Sequence, residues 1–241
     1  MESTTSTGTG ETFNYSGTEL EAMAEAHNYC QWILRYFAPY LGKKIVEIGA
    51  GAGTFSELLL RRKETSELVL FEAAENLFPL LRSRFNDDRV RLHLGAFAPA
   101  VLTGAPDSVV LVNVLEHILD DERLLSQIQK CLKVGGSLLL FVPASQWNFG
   151  SLDEAFEHHR RYSKPALRKK LEHAGFRVER QRYVNFMGIA SWFLAGKVLR
   201  QTTIKPSQVR WYDRWIIPWS FELERFCEPP IGQSLLAVAS K

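Results

Sequence analysis

The chain has 241 residues, 46% of them hydrophobic and 23% charged, values typical of a globular protein with a sizeable core. This composition excludes collagen-like, coiled-coil and globally disordered chains, and a net charge of +2 is too small for a protein whose whole surface follows nucleic acid. The three cysteines contain no CxxC pair, which argues against a disulfide scaffold or a zinc cluster and favours a reducing compartment.

The first predicted elements surround a glycine-rich loop. Residues 1–14 form a Ser/Thr/Gly-rich segment that we expect to be a disordered tail. A capping box from Thr18 to Glu21 predicts a helix that continues to Tyr40. Residues 44–48 are predicted to form a strand, and a run of glycines separates it from a helix over 54–62.

The remainder of the chain alternates between strands and helices. Further strands are predicted at 68–71, 90–94, 108–112, 137–142, 176–184 and 234–239. Helices are predicted through 77–81, over 121–132 and from Ser163 to Gly175. The alternation predicts parallel βαβ units and a doubly wound sheet in a single α/β domain. No run of about 18 apolar residues is present, so the sequence predicts no membrane-spanning helix.

The loop after the first strand carries the first chemical signal. The segment EIGAGAG (47–53) places glycines where the backbone can turn sharply and approach a ligand. A nicotinamide-binding fingerprint would need glycine at Thr54, and Glu47 would repel a pyrophosphate, so an oxidoreductase is disfavoured. Glu72 directly follows the second strand, where doubly wound folds accept hydrogen bonds from ribose hydroxyls. The two carboxylates therefore favour a ligand with a ribose, a positive group and no phosphate.

Four motifs resemble those of class I S-adenosylmethionine-dependent methyltransferases, in the same order and spacing. They are VEIGAGAG (46–53), FEAAE (71–75), DSVVLVNVLEHI (107–118) and LKVGGSLLLFVP (132–143). The resemblance implies a Rossmann-like sheet of seven strands, mostly parallel, with an antiparallel last strand inserted beside the sixth. It also implies a methyltransferase domain over 15–241, with S-adenosyl-L-methionine as the cofactor.

The resemblance implies a set of cofactor contacts. Glu47 would organise the glycine loop and the methionine amino end, and Glu72 would hold the ribose hydroxyls. Adenine recognition would rest on backbone groups and Phe97, because no acidic residue follows the third strand. The implied cofactor-binding residues are Glu47, Gly49, Ala50, Gly51, Gly53, Glu72, Ala73, Ala96, Phe97, Asn113, Val114 and Leu115.

Methyl transfer mainly requires that donor and acceptor are aligned and water is excluded, and a hydroxyl or amine acceptor also benefits from a base. Histidine suits that role near neutral pH, and the candidates are His117, His158 and His159. Capping of a helix is the alternative role for His117 and the adjacent Glu116. We expect no metal site, because Asn113 stands where a metal-dependent site would want carboxylates.

Two segments are candidates for acceptor binding. In EHHRRY (157–162), Arg160 or Arg161 could pair with a carboxylate or phosphate, and Tyr162 is a further candidate; a solvated basic helix face is the alternative for the cations of this region. The aromatic-rich, helical insertion over 186–231 contributes Trp192 and Trp215. This insertion could be a packed helical subdomain, a lid over an apolar acceptor or a surface that contacts membrane lipid.

The sequence therefore predicts a cytoplasmic S-adenosylmethionine-dependent methyltransferase that methylates oxygen or nitrogen of a small molecule of the sugar, lipid or natural-product type. A non-catalytic scaffold protein that binds the same cofactor is the alternative. We expect no nucleic-acid partner, and contact with a membrane would be peripheral. The acceptor atom and the oligomeric state are left open.

Overall fold

The computed structural model describes residues 12–14 and 25–241, and its centre is one seven-stranded sheet. The strands are β1 Lys44–Ile48, β2 Glu67–Glu72, β3 Val90–Leu94, β4 Ser108–Val112, β5 Ser137–Pro143, β6 Arg177–Val184 and β7 Ser234–Ser240. They lie in the order β3-β2-β1-β4-β5-β7-β6, and β7 runs antiparallel to both of its neighbours while all other pairs are parallel. The predicted Rossmann-like sheet with an inserted antiparallel last strand is confirmed.

The burial of each strand follows its place in the sheet. The central strands β4, β5 and β7 are apolar and buried almost throughout, as expected for strands that carry helices on both faces. The edge strand β6 instead exposes charged residues such as Arg177 and Glu179. Charges on an edge strand discourage pairing with another chain.

Helices cover both faces of the sheet and create two apolar cores. Those described are α1 His27–Phe37, α2 Thr54–Leu60, α3 Phe78–Arg84, α4 Asp121–Cys131, α5 Ser151–Ala155, α6 Lys164–His173, α7 Phe186–Phe193, α8 Pro206–Trp215 and α9 Ile217–Phe226. Successive strand residues point to opposite faces. Val46 and Leu138 accordingly join the core formed with α4 and α6, and Ile45 and Leu139 join the core formed with α1 and α2.

The N-terminal predictions fall partly outside the described residues. The capping box from Thr18 to Glu21 and the first part of the predicted helix lie there, and the described helix α1 begins at His27. Within the segment predicted as a disordered tail, Phe13 pairs with Ala74 beyond the end of β2, through backbone hydrogen bonds with Ala73 and Glu75. Ordered contacts therefore begin before residue 14.

The segment between β6 and β7 forms a helical layer beside the carboxyl ends of the strands. Helix α7 continues into a π-helical turn over Leu194–Val198, and α8 and α9 follow. No helix in the described ranges has the length and apolar character needed to cross a bilayer.

Candidate active site

A cavity of about 1140 Å³ opens at the carboxyl ends of the central strands. Its floor includes residues that follow β1, β2 and β4, and its walls include residues of α1, α5, α7 and α8. Open α/β sheets bind ligands at this edge, where the strand order reverses. A single small ligand occupies a pocket of about 300–1,000 Å³, so this cavity has room for two ligands side by side.

The glycine loop after β1 forms one end of the cavity. Gly49 and Ala50 donate backbone hydrogen bonds to the Phe71 carbonyl at 2.8 and 3.0 Å, which ties the loop to the end of β2. Gly49 has a φ of 73°, and a Cβ there would lie 2.4 Å from a methyl carbon of Val114. Only glycine satisfies both restrictions, so the loop conformation depends on it.

Glu72 closes this end of the cavity. Its carboxylate accepts hydrogen bonds from the backbone N–H groups of Gly51, at 2.6 Å, and Ala74, at 2.8 Å. Burial raises the pKa of Glu72 despite these hydrogen bonds, which act in the opposite direction. The carboxylate lines the cavity, and its remaining lone pairs are available to a diol such as that of a ribose.

Glu47 is a buried carboxylate that suits a cationic ligand group. Its Oε2 atom has no hydrogen-bond partner in the described part of the chain, and burial raises the pKa of Glu47 to about 8. A buried acid of this kind is stabilised in its ionised form by a nearby positive group. An α-amino group beside Glu47 and a ribose beside Glu72 fit S-adenosylmethionine.

The other predicted cofactor residues divide into two groups. Those that line the cavity are Glu47, Gly49, Ala50, Gly51, Glu72, Ala73, Ala96, Phe97, Asn113 and Val114. Gly53 does not line it, because it begins α2 in a left-handed conformation and packs against Leu81 and Phe85. Leu115 is fully buried in the core and is not part of the cavity lining, so the structure does not bring it to the predicted cofactor site.

Three histidines line the cavity in a wall formed by the residues that follow β4 and α5, and we call this part of the cavity its histidine end. The rings of His117 and His158 lie edge to face with centroids 4.8 Å apart, and His159 lies beside them with more exposure. Burial lowers the pKa of His117 to about 3, so its imidazole is neutral at physiological pH and can accept a proton only weakly. The candidate bases His117, His158 and His159 are therefore brought together in one wall.

Asp153, which the sequence analysis did not single out, organises this wall. Its buried carboxylate receives hydrogen bonds from Arg161 Nε at 2.7 Å and Trp192 Nε1 at 3.1 Å, and it lies 2.9 Å from His158 Nδ1. Burial by itself raises the pKa of Asp153, but the hydrogen bond with His158 and the charge of Arg161 bring it below its ordinary value. Asp153 is therefore ionised and holds the neighbouring side chains in place. Its helix α5 has five residues, too few for a periodicity signal.

Glu116 is the second residue whose role emerges only from the structure. It lies in a short 3-10 turn over Leu115–His117 and is fully buried in the cavity wall. Neither carboxylate oxygen has a hydrogen-bond partner among the residues described. Burial raises the pKa of Glu116 to about 8. The side chain is not used as a helix cap.

The segment after the histidines places its side chains differently from the prediction. Arg160 forms an ion pair with Asp121 at 2.9 Å, and Tyr162 donates a hydrogen bond to the same carboxylate at 2.9 Å. Neither residue is part of the cavity lining, so the structure does not bring them to the place predicted for the acceptor. Arg161 lines the cavity instead and lies over the Trp192 ring, 4.9 Å from its centroid. The backbone is extended here, and successive side chains point in opposite directions.

The two predicted tryptophans lie on opposite sides of the helical layer. Trp192 of α7 lines the cavity. Trp215 of α8 is 54% exposed and is not part of the cavity lining, so the structure does not bring it to the place predicted for the acceptor. The face of α8 that lines the cavity carries Tyr212 and Asp213. Which face of α8 lines the cavity depends on how the helix packs, and the aromatic content of the segment does not reveal that orientation.

Comparison with known proteins agrees with this geometry. The model of a family described as "Methyltransferase domain" matches residues 21–181. The ubiquinone biosynthesis O-methyltransferase of Ruegeria sp. (strain TM1040) is 33% identical over 106 residues, 43% of this chain and 42% of that protein. The trans-aconitate 2-methyltransferase of Variovorax paradoxus (strain S110) is 29% identical over 101 residues, 42% of this chain and 38% of that protein. The alignments thus span less than half of these curated relatives.

The similarity to solved structures extends over the whole fold. The S-adenosylmethionine-dependent methyltransferase from Mesorhizobium loti superimposes with a TM-score of 0.58 at 16% sequence identity. The match covers 92% of this chain and 100% of that one. At this identity the superposition shows that the two proteins share a fold.

Proposed function

The chain belongs to the methyltransferase-domain family, and we propose that it transfers a methyl group from S-adenosylmethionine to an oxygen or nitrogen atom of a small molecule. One observation carries the proposal: a single cavity joins the Glu47–Glu72 end to the histidine wall. Its volume leaves room for an acceptor beside the cofactor. The names of the two curated relatives, which refer to ubiquinone biosynthesis and trans-aconitate, support a small acceptor.

The residues of the chain would act mainly by positioning. Glu47, the glycine loop and Glu72 would hold S-adenosylmethionine, which supplies a methyl group on a positively charged sulfur. The helical layer over the cavity would exclude water and hold the acceptor in line with that methyl group. A histidine of the wall, most readily the exposed His159, would receive the proton that the acceptor loses.

The cavity wall indicates the character of the acceptor. Leu152, Phe156, Trp192 and Val209 contribute apolar surface to the cavity, with Phe156 beside His158, and Arg161 contributes a buried cation. That cation is already paired with Asp153, so it is less available for a second anion. We therefore expect an acceptor with an apolar body and one hydroxyl or amine, of the lipid or natural-product type.

The outer surface of the helical layer suggests where such an acceptor would be collected. Trp211, Trp215 and Trp219 are each more than half exposed, and Arg214 lies over the Trp215 ring. Exposed tryptophans beside arginines are typical of proteins that bind the interface of an anionic membrane. We propose peripheral contact with such a membrane from the cytoplasm, a location that the three unpaired cysteines favour.

Co-sedimentation with anionic vesicles should fall in a Trp215→Ala/Trp219→Ala variant, and unchanged sedimentation would refute this contact.

Isothermal calorimetry and a labelled-methyl assay test the proposed reaction. S-adenosylhomocysteine should bind, and Glu72→Ala should weaken its binding by about 1–3 kcal/mol because charge-assisted hydrogen bonds are lost.

In a screen of hydroxylated and amine acceptors, replacement of the histidine that acts as base should lower turnover about 10²–10⁴-fold at unchanged cofactor affinity. Cofactor binding without transfer to any acceptor would favour the scaffold alternative, in which the protein binds the cofactor without catalysis.

A further inference from the structure

We propose that Glu116, His117 and His158 form a binding site for a divalent transition-metal ion in the cavity wall. The inference rests on the proposed function, since the ion would face the space assigned to the acceptor. It reverses the expectation of a metal-free site, which considered carboxylates near Asn113 only. The sequence does not reveal this cluster, because His158 lies 41 positions after His117 and approaches it only in the folded chain.

The three side chains converge on one point. One potential ligand atom from each residue lies within 4.8 Å of the others. One carboxylate and two imidazoles form a ligand set that suits zinc, iron and related ions. Ligands of such ions stand about 2.0–2.2 Å from the metal, so a bound ion would draw the three groups slightly closer together.

Glu116 supplies the strongest reason to expect a cation here. Its side chain is fully buried, it lines the cavity, and neither oxygen has a hydrogen-bond partner within the described ranges. A buried carboxylate without donors is costly unless a cation or a proton compensates it. The nearby guanidinium of Arg161 is engaged at 2.7 Å with Asp153, and these two charges largely neutralise each other. A metal ion would supply the missing charge.

The surroundings of the histidines match those of metal ligands. His158 Nδ1 lies 2.9 Å from an Asp153 oxygen, which indicates that Nδ1 carries the proton and leaves Nε2 as the ligand atom. Asp153 is itself held by Arg161 and Trp192. The ring of His117 is hydrogen-bonded to the backbone of Glu157. Histidines that bind metals are usually oriented in this way, by a carboxylate or a backbone carbonyl on the opposite ring nitrogen.

A metal ion at this position would narrow the class of acceptor to oxygen nucleophiles. Three protein ligands leave coordination positions open toward the cavity, and a hydroxyl facing the ion becomes a stronger acid. The hydroxyl proton would pass to His159 or to water. The acceptor oxygen would then bond to the methyl carbon as the carbon–sulfur bond breaks, and the sulfonium would become a neutral thioether.

Metal titration of the full chain tests the site directly. Protein stripped with a chelator should bind about one equivalent of Zn²⁺ by calorimetry, and Co²⁺ should give visible absorption bands from a protein-bound ion. Glu116→Gln and His158→Ala should each weaken Zn²⁺ binding at least tenfold, and Asp153→Asn, which removes the carboxylate that orients His158 and also pairs with Arg161, should weaken it about 10–100-fold. His173→Ala, which removes a histidine exposed on α6, is the matched control and should bind Zn²⁺ normally.

The outcomes separate this site from the proposed reaction. Melting temperatures and S-adenosylhomocysteine affinity are measured on the same samples, so that loss of the ion is not confused with unfolding. If Glu116→Gln is too unstable to purify, His158→Ala, which replaces a less deeply buried ligand, decides the question. Wild-type protein that binds no Zn²⁺, or that binds it as tightly as both ligand variants do, would overturn the site. Failure to bind S-adenosylhomocysteine would instead contradict the proposed function.

Discussion

Buried carboxylates determine the electrostatics at each end of the cavity. Glu47 lies at the cofactor end and Glu116 at the histidine end, and each has an oxygen without a hydrogen-bond partner in the described structure. Burial raises the pKa of both residues to about 8, so each carboxyl is largely protonated at pH 7 when no cation is near. A ligand that brings positive charge to either position would displace the proton.

For Glu47 we predict a cofactor affinity that depends on pH. The amino group of S-adenosylhomocysteine would favour the ionised carboxylate, so the complex binds fewer protons than the empty protein and binding strengthens as the pH rises. Because the pKa of Glu47 in the empty protein is about 8, the dissociation constant should fall by up to about tenfold per unit from about pH 6 to pH 8. Calorimetry at several pH values measures this change.

The control for this prediction is Glu47→Gln, which has similar size and no titratable group. Its affinity should be lower than that of the wild-type protein, and its pH dependence over this range should be lost. Wild-type affinity that is the same at both ends of the range would show that Glu47 does not contact the cationic end of the ligand.

At the scale of elements, the helical layer after β6 both covers the cavity and stabilises the rest of the fold. Helix α1 has no capping side chain of its own. Asp213 of α8 supplies one, since its carboxylate accepts hydrogen bonds from the backbone N–H groups of Asn28, at 2.9 Å, and Tyr29, at 2.8 Å. A carboxylate at this position also interacts favourably with the positive end of the helix dipole. The layer is therefore connected to the first described helix.

We predict that Asp213→Ala lowers the free energy of unfolding by about 0.5–2 kcal/mol, the usual cost of losing an N-terminal cap. Urea denaturation monitored by tryptophan fluorescence measures it. Glu222→Ala, which removes an exposed carboxylate on α9, is the matched control and should change stability by less than about 0.5 kcal/mol. Equal effects of the two substitutions would argue against the cap.

The same layer permits a test of acceptor binding with two tryptophans. With a water-soluble acceptor assayed without membranes, Trp192→Ala removes cavity wall and should raise the KM, whereas Trp215→Ala alters only the outer surface and should leave the KM unchanged. Full burial of an aromatic ring contributes about 1.5–3 kcal/mol, so the KM should rise roughly 10-fold or more. S-adenosylhomocysteine affinity should be the same in both variants. A KM that rises equally in both, or in neither, would contradict the placement of the acceptor beside Trp192.

At the scale of the whole molecule, the last strand joins β6 to the rest of the sheet. β7 pairs with β5 on one side and β6 on the other, and its apolar residues reach both cores. Leu236 lies opposite Phe141 of β5 and is fully buried. The helical layer leads directly into this strand, so the chain connects the layer to the interior of the sheet.

We therefore predict that Leu236→Ala destabilises the whole protein by about 2–5 kcal/mol through lost apolar contacts and a cavity. Urea unfolding should show a single transition shifted to lower denaturant, because β7 belongs to both cores. Val134→Ala, at a position that is 84% exposed, should have an effect near zero. A variant in which only the signal of α8 and α9 is lost would show that β7 is not part of the common cooperative unit.

The sequence by itself determined the sheet and the cofactor end of the cavity. Local apolar runs indicate the strands, and parallel strands bring their carboxyl ends to one edge of the sheet, so the sequence alone predicts that Glu47, the glycine loop and Glu72 lie together. Gly53 and Leu115 belong to the same motifs but pack against α3 and in the core, because adjacency within a motif does not determine which residues line the cavity.

Only the tertiary structure decided the histidine end. Whether Arg160, Arg161 or Tyr162 faces the cavity depends on the register of an extended segment against the end of β5. Trp192 lines the cavity and Trp215 does not, because the packing of α7 and α8 determines which face of each helix points inward. Asp153 lies in the five-residue helix α5 and Glu116 in a three-residue 3-10 turn, and both elements are too short to carry a periodic signal. Their environment comes from residues distant in sequence, and burial, charge pairing and hydrogen bonding are properties of that environment rather than of the local pattern.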